Sequence, residues 1–174
     1  MTAGHKGVSP TMITFVRRSL LALTLIGIAA TAFELNTEHH WNGLEQLIPW
    51  FALAALTVAL VMAVLPGRGA RLLATVLALV VLGASVYGVL DHITVNYNSG
   101  PLDQRFADTW ESLSATQRWW YAATKEVGPS PPLAPGMLAQ TALLLLLATL
   151  MRKKSAEAEP DPAPVLASRH SPMG

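Results

Sequence analysis

The sequence predicts an all-α integral membrane protein: a four-transmembrane-helix bundle with an extra interfacial amphipathic helix between spans 3 and 4. Its 174 residues are 52% hydrophobic and 13% charged, and this charged fraction is about half of that usual in soluble domains. The apolar residues are concentrated in four long stretches that polar or helix-breaking residues separate. Because backbone in lipid must satisfy its own hydrogen bonds, such stretches cross a bilayer as helices.

The four predicted spans have the length that a bilayer requires. They cover approximately residues 14–36, 44–65, 71–92 and 133–151 of a membrane domain at 12–154. With a rise of about 1.5 Å per residue, a helix of this length crosses a hydrocarbon core of about 30 Å. Residues 1–11 and 155–174 lack a periodic apolar face and are rich in Pro or Gly. They are predicted to be a flexible N-terminus and a disordered tail.

The segment between spans 3 and 4 carries the signals of a fifth helix. Asp108 and Glu111 have capping-box spacing, and Gly128 followed by Pro129 ends the run, which predicts a helix over about 109–127. Its aromatic residues share one face, as in helices that lie at the headgroup level. Together with two tryptophans near span 2, the predicted membrane-interface anchors are Trp41, Trp50, Trp110, Trp120 and Tyr121.

The distribution of charge orients the predicted bundle. The basic residues beside spans fall at one end: Lys6, Arg17, Arg18, Arg68, Arg71, Arg152, Lys153 and Lys154. Since Lys and Arg favour the cytoplasmic side, we expect a cell (inner or plasma) membrane location with both termini cytoplasmic. A net charge of +1 gives no indication of a nucleic-acid partner, and the absence of cysteine excludes disulfides and thiolate metal ligands.

Histidines and carboxylates are predicted to meet at the outer end of the bundle. The stretch EHHWNGLEQ joins spans 1 and 2, and Asp91 with His92 ends span 3 on the same face. Imidazoles with carboxylates suit a divalent transition metal, or equally an acid–base pair. The candidate metal ligands are His40, His92, Glu38, Asp91 and His39. No HExxH or comparable ligand spacing supports the metal interpretation, and solvated caps of the helices would explain the same residues.

Two residues of this hinge match a helix start. Asn42 with Glu45 three positions later has the spacing of an N-cap arrangement at the beginning of span 2. We therefore expect Asn42 and Glu45 to serve as a helix cap, which removes Glu45 from the candidate metal ligands.

Three stretches resemble a known group of proteins. These are EHHWNGLEQLIPW at the hinge, GVLDHITVNY at the end of span 3 and PPLAPGMLA at the start of span 4. Over roughly residues 20–150 the chain is similar to small bacterial four-span integral membrane proteins known only as uncharacterised proteins. The resemblance implies a four-span fold and no particular activity. The insert WESLSATQRWWY departs from the group's pattern.

The function that these features predict is binding or assembly more than catalysis. No nucleophile motif is present, and no charged residue lies in the middle of a span, which argues against an ion-coupled carrier. We expect an accessory, scaffold or interaction subunit that contacts the lipid bilayer and other membrane subunits or a second copy of itself. The alternative is a metal-binding membrane protein or metal-dependent membrane enzyme that uses the outer His/carboxylate cluster.

Overall fold

The part of the chain that the structure describes forms five α-helices. The computed structural model describes residues 9–157, with side chains to residue 151. The helices are α1 (Pro10–Thr37), α2 (Leu44–Val64), α3 (Arg68–Ser99), α4 (Ala115–Ala123) and α5 (Ala134–Glu157), with 3₁₀ turns at Gly100–Leu102 and Trp110–Ser112. Within this part of the chain no strand is present.

Four of these helices, α1, α2, α3 and α5, are long and apolar enough to cross a membrane, as the sequence predicts. Helices α1 and α3 extend beyond their predicted spans at both ends, α2 ends one residue earlier than predicted, and α5 begins one residue later. Helix α1 begins at Pro10, because proline fits the first helical turn, and α5 runs on to Glu157. The rest of the predicted N-terminus and tail, residues 1–8 and 158–174, lies outside the described residues.

The long helices pack as an antiparallel bundle in which α5 contacts α1, α2 and α3. Small residues allow the closest approaches. A Cβ added at Gly27 of α1 would lie 2.5 Å from Thr141 Oγ1 of α5, and one at Gly88 of α3 would lie 3.0 Å from Pro135 Cβ. Close packing of this kind holds helices together in lipid, where apolar surfaces gain little by leaving the solvent. The fully or nearly fully buried alanines of the bundle are Ala52, Ala59, Ala63, Ala74, Ala78, Ala142 and Ala148.

The predicted helix over 109–127 is wrong in its bounds, because a different capping box starts it. Ser114 Oγ accepts a hydrogen bond from Gln117 N at 3.3 Å, and Gln117 Oε1 accepts one from Ser114 N at 3.0 Å. Helix α4 therefore spans only Ala115–Ala123. The residues before it form a turn in place of the helical start that Asp108 and Glu111 predict.

This turn carries Trp110 into the interior, so the prediction that Trp110 is an interface anchor is also wrong. Its side chain is 1% exposed and lies directly over Gly100, where any Cβ would collide with the indole ring. Tyr97 contacts the same indole edge-on at 5.6 Å and stacks on Trp119 at 4.4 Å. A small aromatic core thus fixes the connection between α3 and α5.

Asn96 ties this outer segment to α3. Its buried Nδ2 donates to the carbonyl oxygens of Ala122 at 3.0 Å and Ser130 at 2.7 Å, and its Oδ1 accepts from Ser130 N at 2.9 Å. Gly128 passes over it with a φ of +83°, and a Cβ there would lie 2.5 Å from Asn96 Cα. One amide therefore positions both the end of α4 and the approach to α5.

We predict that Asn96→Ala destabilises the protein strongly. The substitution leaves the buried carbonyl of Ala122 and the partly buried N–H and carbonyl of Ser130 without this partner. A buried unsatisfied group costs about 1–3 kcal/mol, and the partly buried groups cost less. Unfolding by SDS titration, followed by circular dichroism, measures the effect. The exposed neighbour in Asn98→Ala is the matched control, and equal stability of the two variants would contradict the role assigned to Asn96.

Candidate functional site

A cavity of about 420 Å³ opens between the ends of the long helices, at the end of the bundle opposite the arginines of α1 and α3. Every long helix contributes to its wall. Helix α1 supplies the face that includes Thr31, Glu34 and Glu38, and α3 supplies the face from Ala84 to His92. The volume falls within the range of about 300–1,000 Å³ that is usual for small-molecule sites.

The inner part of the cavity is apolar except for two hydroxyls. Leu35, Ala52 and Leu138 line it together with Thr31 and Ser85. Ser85 Oγ donates to Val81 O at 2.8 Å. Thr31 is 4% exposed, yet its Oγ1 is the one buried hydroxyl, among the residues that the structure describes, without a hydrogen-bond partner. An unpartnered buried hydroxyl costs free energy, and a ligand can supply the missing bond.

The rim of the cavity is strongly acidic. Glu34 of α1, Glu38 just after α1, Glu45 of α2 and Asp91 of α3 surround the opening, and Lys125 is the single Lys or Arg among the lining residues. With neutral histidines, four carboxylates and one ammonium give this rim a formal charge of −3. In the described part of the chain, none of these five groups forms a salt bridge.

The two histidines of the hinge have different environments. His40 lines the cavity and is half-buried, and its carbonyl accepts a 2.8 Å hydrogen bond from Trp50 Nε1. His39 is outside the cavity, in a left-handed conformation with φ of 51°. Its Nδ1 donates to Thr37 O at 3.0 Å and its ring contacts Trp41 at 5.2 Å. His39 is thus separated from the other candidate ligands.

The predicted helix cap of Asn42 and Glu45 is wrong by one position. Gly43 is the N-cap of α2 and makes no side-chain cap. Gln46, not Glu45, reaches back to accept the Asn42 N–H at 2.8 Å, while Asn42 Nδ2 donates to His39 O at 3.2 Å. Asn42 therefore closes the turn after α1, and Glu45 is left to face the cavity.

The structure does not assemble the predicted metal site. His40, His92, Glu38 and Asp91 line one cavity, but within residues 9–157 no three His, Asp or Glu side chains are grouped closely enough to hold a metal ion. The reason is geometric: these residues come from the hinge, α1 and α3, on different sides of an open rim. His92 Nδ1 is moreover engaged as a donor to Pro131 O at 2.9 Å.

Sequence reasoning missed Thr31 and Lys125. Thr31, Glu34, Leu35 and Glu38 have the spacing of one helical face, so that face of α1 could have been recognised as the side that meets the cavity. Lys125 follows α4 in a left-handed conformation with φ of 59°, which no local pattern in the sequence indicates.

Arg105 fixes the chain beside Lys125. It donates to Asp103 Oδ2 at 2.8 Å and to Glu126 O at 2.6 Å. The Arg105 hydrogen bonds hold the pKa of Asp103 below its ordinary value. A carboxyl group whose pKa is lower in the folded than in the unfolded state stabilises the fold at any pH above the unfolded-state pKa. The contribution of Asp103 is therefore present at neutral pH and is lost as the pH falls through the lowered pKa.

Comparison of the chain with protein families, curated proteins and solved structures finds no match. The class of protein is therefore inferred from the helices and the cavity of the chain itself. Between residues 9 and 157 the chain has four helices long and apolar enough to span a membrane, and a cavity of ligand size lies at one end of the bundle.

We predict that Trp50→Phe loosens the hinge that positions His40. The change removes the indole donor to His40 O and costs about 1 kcal/mol. Faster amide hydrogen exchange over residues 39–43, measured by mass spectrometry, is the expected result. Trp41→Phe is the control, since the Trp41 indole N–H makes no hydrogen bond within the described residues. The same exchange rate in both variants would contradict the prediction.

Proposed function

We propose that the protein binds an amphiphilic ammonium compound, with its apolar part in the cavity and its cation at the acidic rim. The observation that carries this proposal is the rim itself, where four carboxylates without salt-bridge partners surround an apolar interior. The ligand is a molecule with one positive group attached to a hydrocarbon or aromatic body.

The acidic rim favours a ligand that carries a positive charge. Like charges that share a cleft repel one another, and low-dielectric walls strengthen the field at its mouth. Glu34, Glu38 and Asp91 all line the same cavity, so a cation between them relieves repulsion that an anion would increase. A neutral ligand of the same shape gains nothing from this field.

The interior favours an apolar body with few polar groups. Leu35, Ala52 and Leu138 offer only van der Waals contacts, and Thr31 offers one hydroxyl. A sugar or nucleotide would leave many of its own polar groups without partners there, at a cost for each of about 1–3 kcal/mol. An alkyl or aromatic group loses nothing by leaving water.

We predict that hexylammonium binds to the purified protein in phosphatidylcholine nanodiscs more tightly than hexylsulfonate or hexanol. In Glu34→Gln and Asp91→Asn the affinity for hexylammonium should fall about fivefold each, equivalent to about 1 kcal/mol for a partly exposed charge pair. Isothermal titration calorimetry, corrected with empty nanodiscs, measures these affinities.

Asp108→Asn is the control for charge in this experiment. Asp108 is an exposed carboxylate of the outer segment that does not line the cavity, so its loss should leave the affinity unchanged. Equal affinity of the wild type for hexylammonium and hexylsulfonate would reject the proposal.

We further propose that the cavity faces the outside of a cell membrane and that both termini are cytoplasmic. The asymmetry of charge supports this orientation. Arg17, Arg18, Arg68 and Arg71 lie towards one end of the bundle, whereas the acidic rim occupies the other. Basic residues are retained on the cytoplasmic side during insertion.

Cysteine labelling tests this orientation, because the chain contains no cysteine of its own. We predict that His39→Cys reacts with a membrane-impermeant maleimide on intact cells. Gly69→Cys, in the first turn of α3, should react only after permeabilisation. The reverse pattern would show that the cavity opens to the cytoplasm.

The placement of α4 at the membrane interface is also a proposal. Trp119 and Trp120 of this helix are 47% and 66% exposed, and Trp41 of the hinge is 45% exposed. Exposed tryptophans are favoured at the headgroup level. The role of the protein as an accessory, scaffold or interaction subunit stays a prediction. In that role, the protein would present or sense the bound amphiphile.

A further inference from the structure

We infer that the cavity opens sideways into the bilayer between α2 and α3, and that its ligand is a long-chain amine that enters from the outer leaflet. This inference rests on the proposed function and adds to it the source and length of the ligand. The ammonium occupies the rim, and the hydrocarbon chain leaves through the side opening to remain in lipid.

Two residues mark the side opening. Ile48 of α2 and Tyr87 of α3 both line the cavity, yet they are 48% and 65% exposed on the surface of the bundle. Helices α2 and α3 are direct neighbours. Because these residues line the cavity and are also exposed on the outer surface, they mark a place where the cavity opens to that surface. The other exposed lining residues are carboxylates, Lys125 or prolines beyond the helix ends, and they form the upper rim.

The depth of this opening matches the edge of the hydrocarbon core. Tyr87 is 19 residues after Arg68, the first residue of α3, which is about 28 Å along a helix with a rise of about 1.5 Å per residue. A hydrocarbon core is about 30 Å thick. With Arg68 at the cytoplasmic surface, Tyr87 lies just inside the outer boundary and Asp91 lies one turn above it, among headgroups.

The groups around the opening suit the junction between a chain and an ammonium. The Tyr87 ring can contact the chain with its face and water with its hydroxyl. Pro49, one residue after Ile48, also lines the cavity and has no N–H to donate to the carbonyl of Glu45 one turn earlier. That carbonyl and the carboxylate of Asp91 are acceptors for the N–H groups of a primary ammonium.

The test blocks the side opening and compares two probes. Tyr87→Cys and Ile48→Cys are prepared in nanodiscs and alkylated with a bulky apolar maleimide, which reacts at one position because the chain has no other cysteine. Hexadecylammonium, supplied within the bilayer, should bind at least about tenfold more weakly after alkylation, a change of about 1.4 kcal/mol. Hexylammonium, supplied in water and admitted through the rim, should bind to each cysteine variant with the same affinity before and after alkylation, whatever the substitution itself has changed. Native mass spectrometry counts the bound probe.

Val80→Cys with the same alkylation is the matched control. Val80 lies two turns below Tyr87 on the same side of α3 and is 61% exposed, but it does not line the cavity. Alkylation there should change the binding of neither probe.

The outcomes separate this inference from the proposed function. Unchanged binding of hexadecylammonium in both alkylated variants would overturn the side opening and leave ammonium binding intact. An equal loss of both probes would mean that the label fills the cavity itself, which also overturns a separate lipid route. Absence of binding of both probes to the unmodified wild type would reject the proposed function, and the inference with it.

Discussion

The close contact of α5 with α1 and α3 is the interaction on which the rest of the structure depends. Gly27 against Thr141 and Gly88 against Pro135 set the distances between these helices. In lipid no hydrophobic force draws helices together, so van der Waals contact at short range must do so. Because α5 also contacts α2, the last helix in the sequence determines the spacing of the other three.

The cavity follows from a change in how α5 is held along its length. Below Leu138 its buried positions are small or aliphatic and interlock with neighbouring helices, whereas the proline-containing stretch just before its first turn is held by polar contacts. His92 accounts for one of these contacts, through Pro131, and Asn96 accounts for others, through Ser130. Hydrogen bonds can position a helix end without filling the space beside it, and the cavity occupies that space.

The part of the structure that the sequence predicts is the part that lipid dictates. Apolar length determines where a helix can cross a membrane, and the four spans were therefore recognisable from composition alone. The outer segment obeys no such rule. Two capping-box patterns occur there, and the structure forms that of Ser114 and not that of Asp108. The residues before Ser114 instead bury Trp110 against Gly100, a contact with no local signature in the sequence.

The candidate site also has a part that the sequence predicts and a part that it does not. The sequence places Glu38, His40, Asp91 and His92 at one end of the bundle, because antiparallel connections fix which helix ends meet, and these four do line one cavity. Whether these four side chains can reach a single metal ion depends on the spacing of the helices to within a few ångströms. Hydropathy carries no information at that scale, so the metal site was predicted where the structure has an open rim.

The rim stands at the depth where its charges can be both solvated and effective. Carboxylates one or two turns deeper would have to leave water entirely, at a cost of several kcal/mol each, and carboxylates on the outer segment would be screened by salt over about 8–10 Å. Glu34 and Asp91 are exposed at the mouth of a cavity whose inner walls are mostly apolar, so water reaches both carboxyl groups while their field extends inward. An amphiphilic ammonium in a bilayer already holds its charge at that depth and its chain below it. The proposed binding of such a ligand would therefore require little desolvation of either partner.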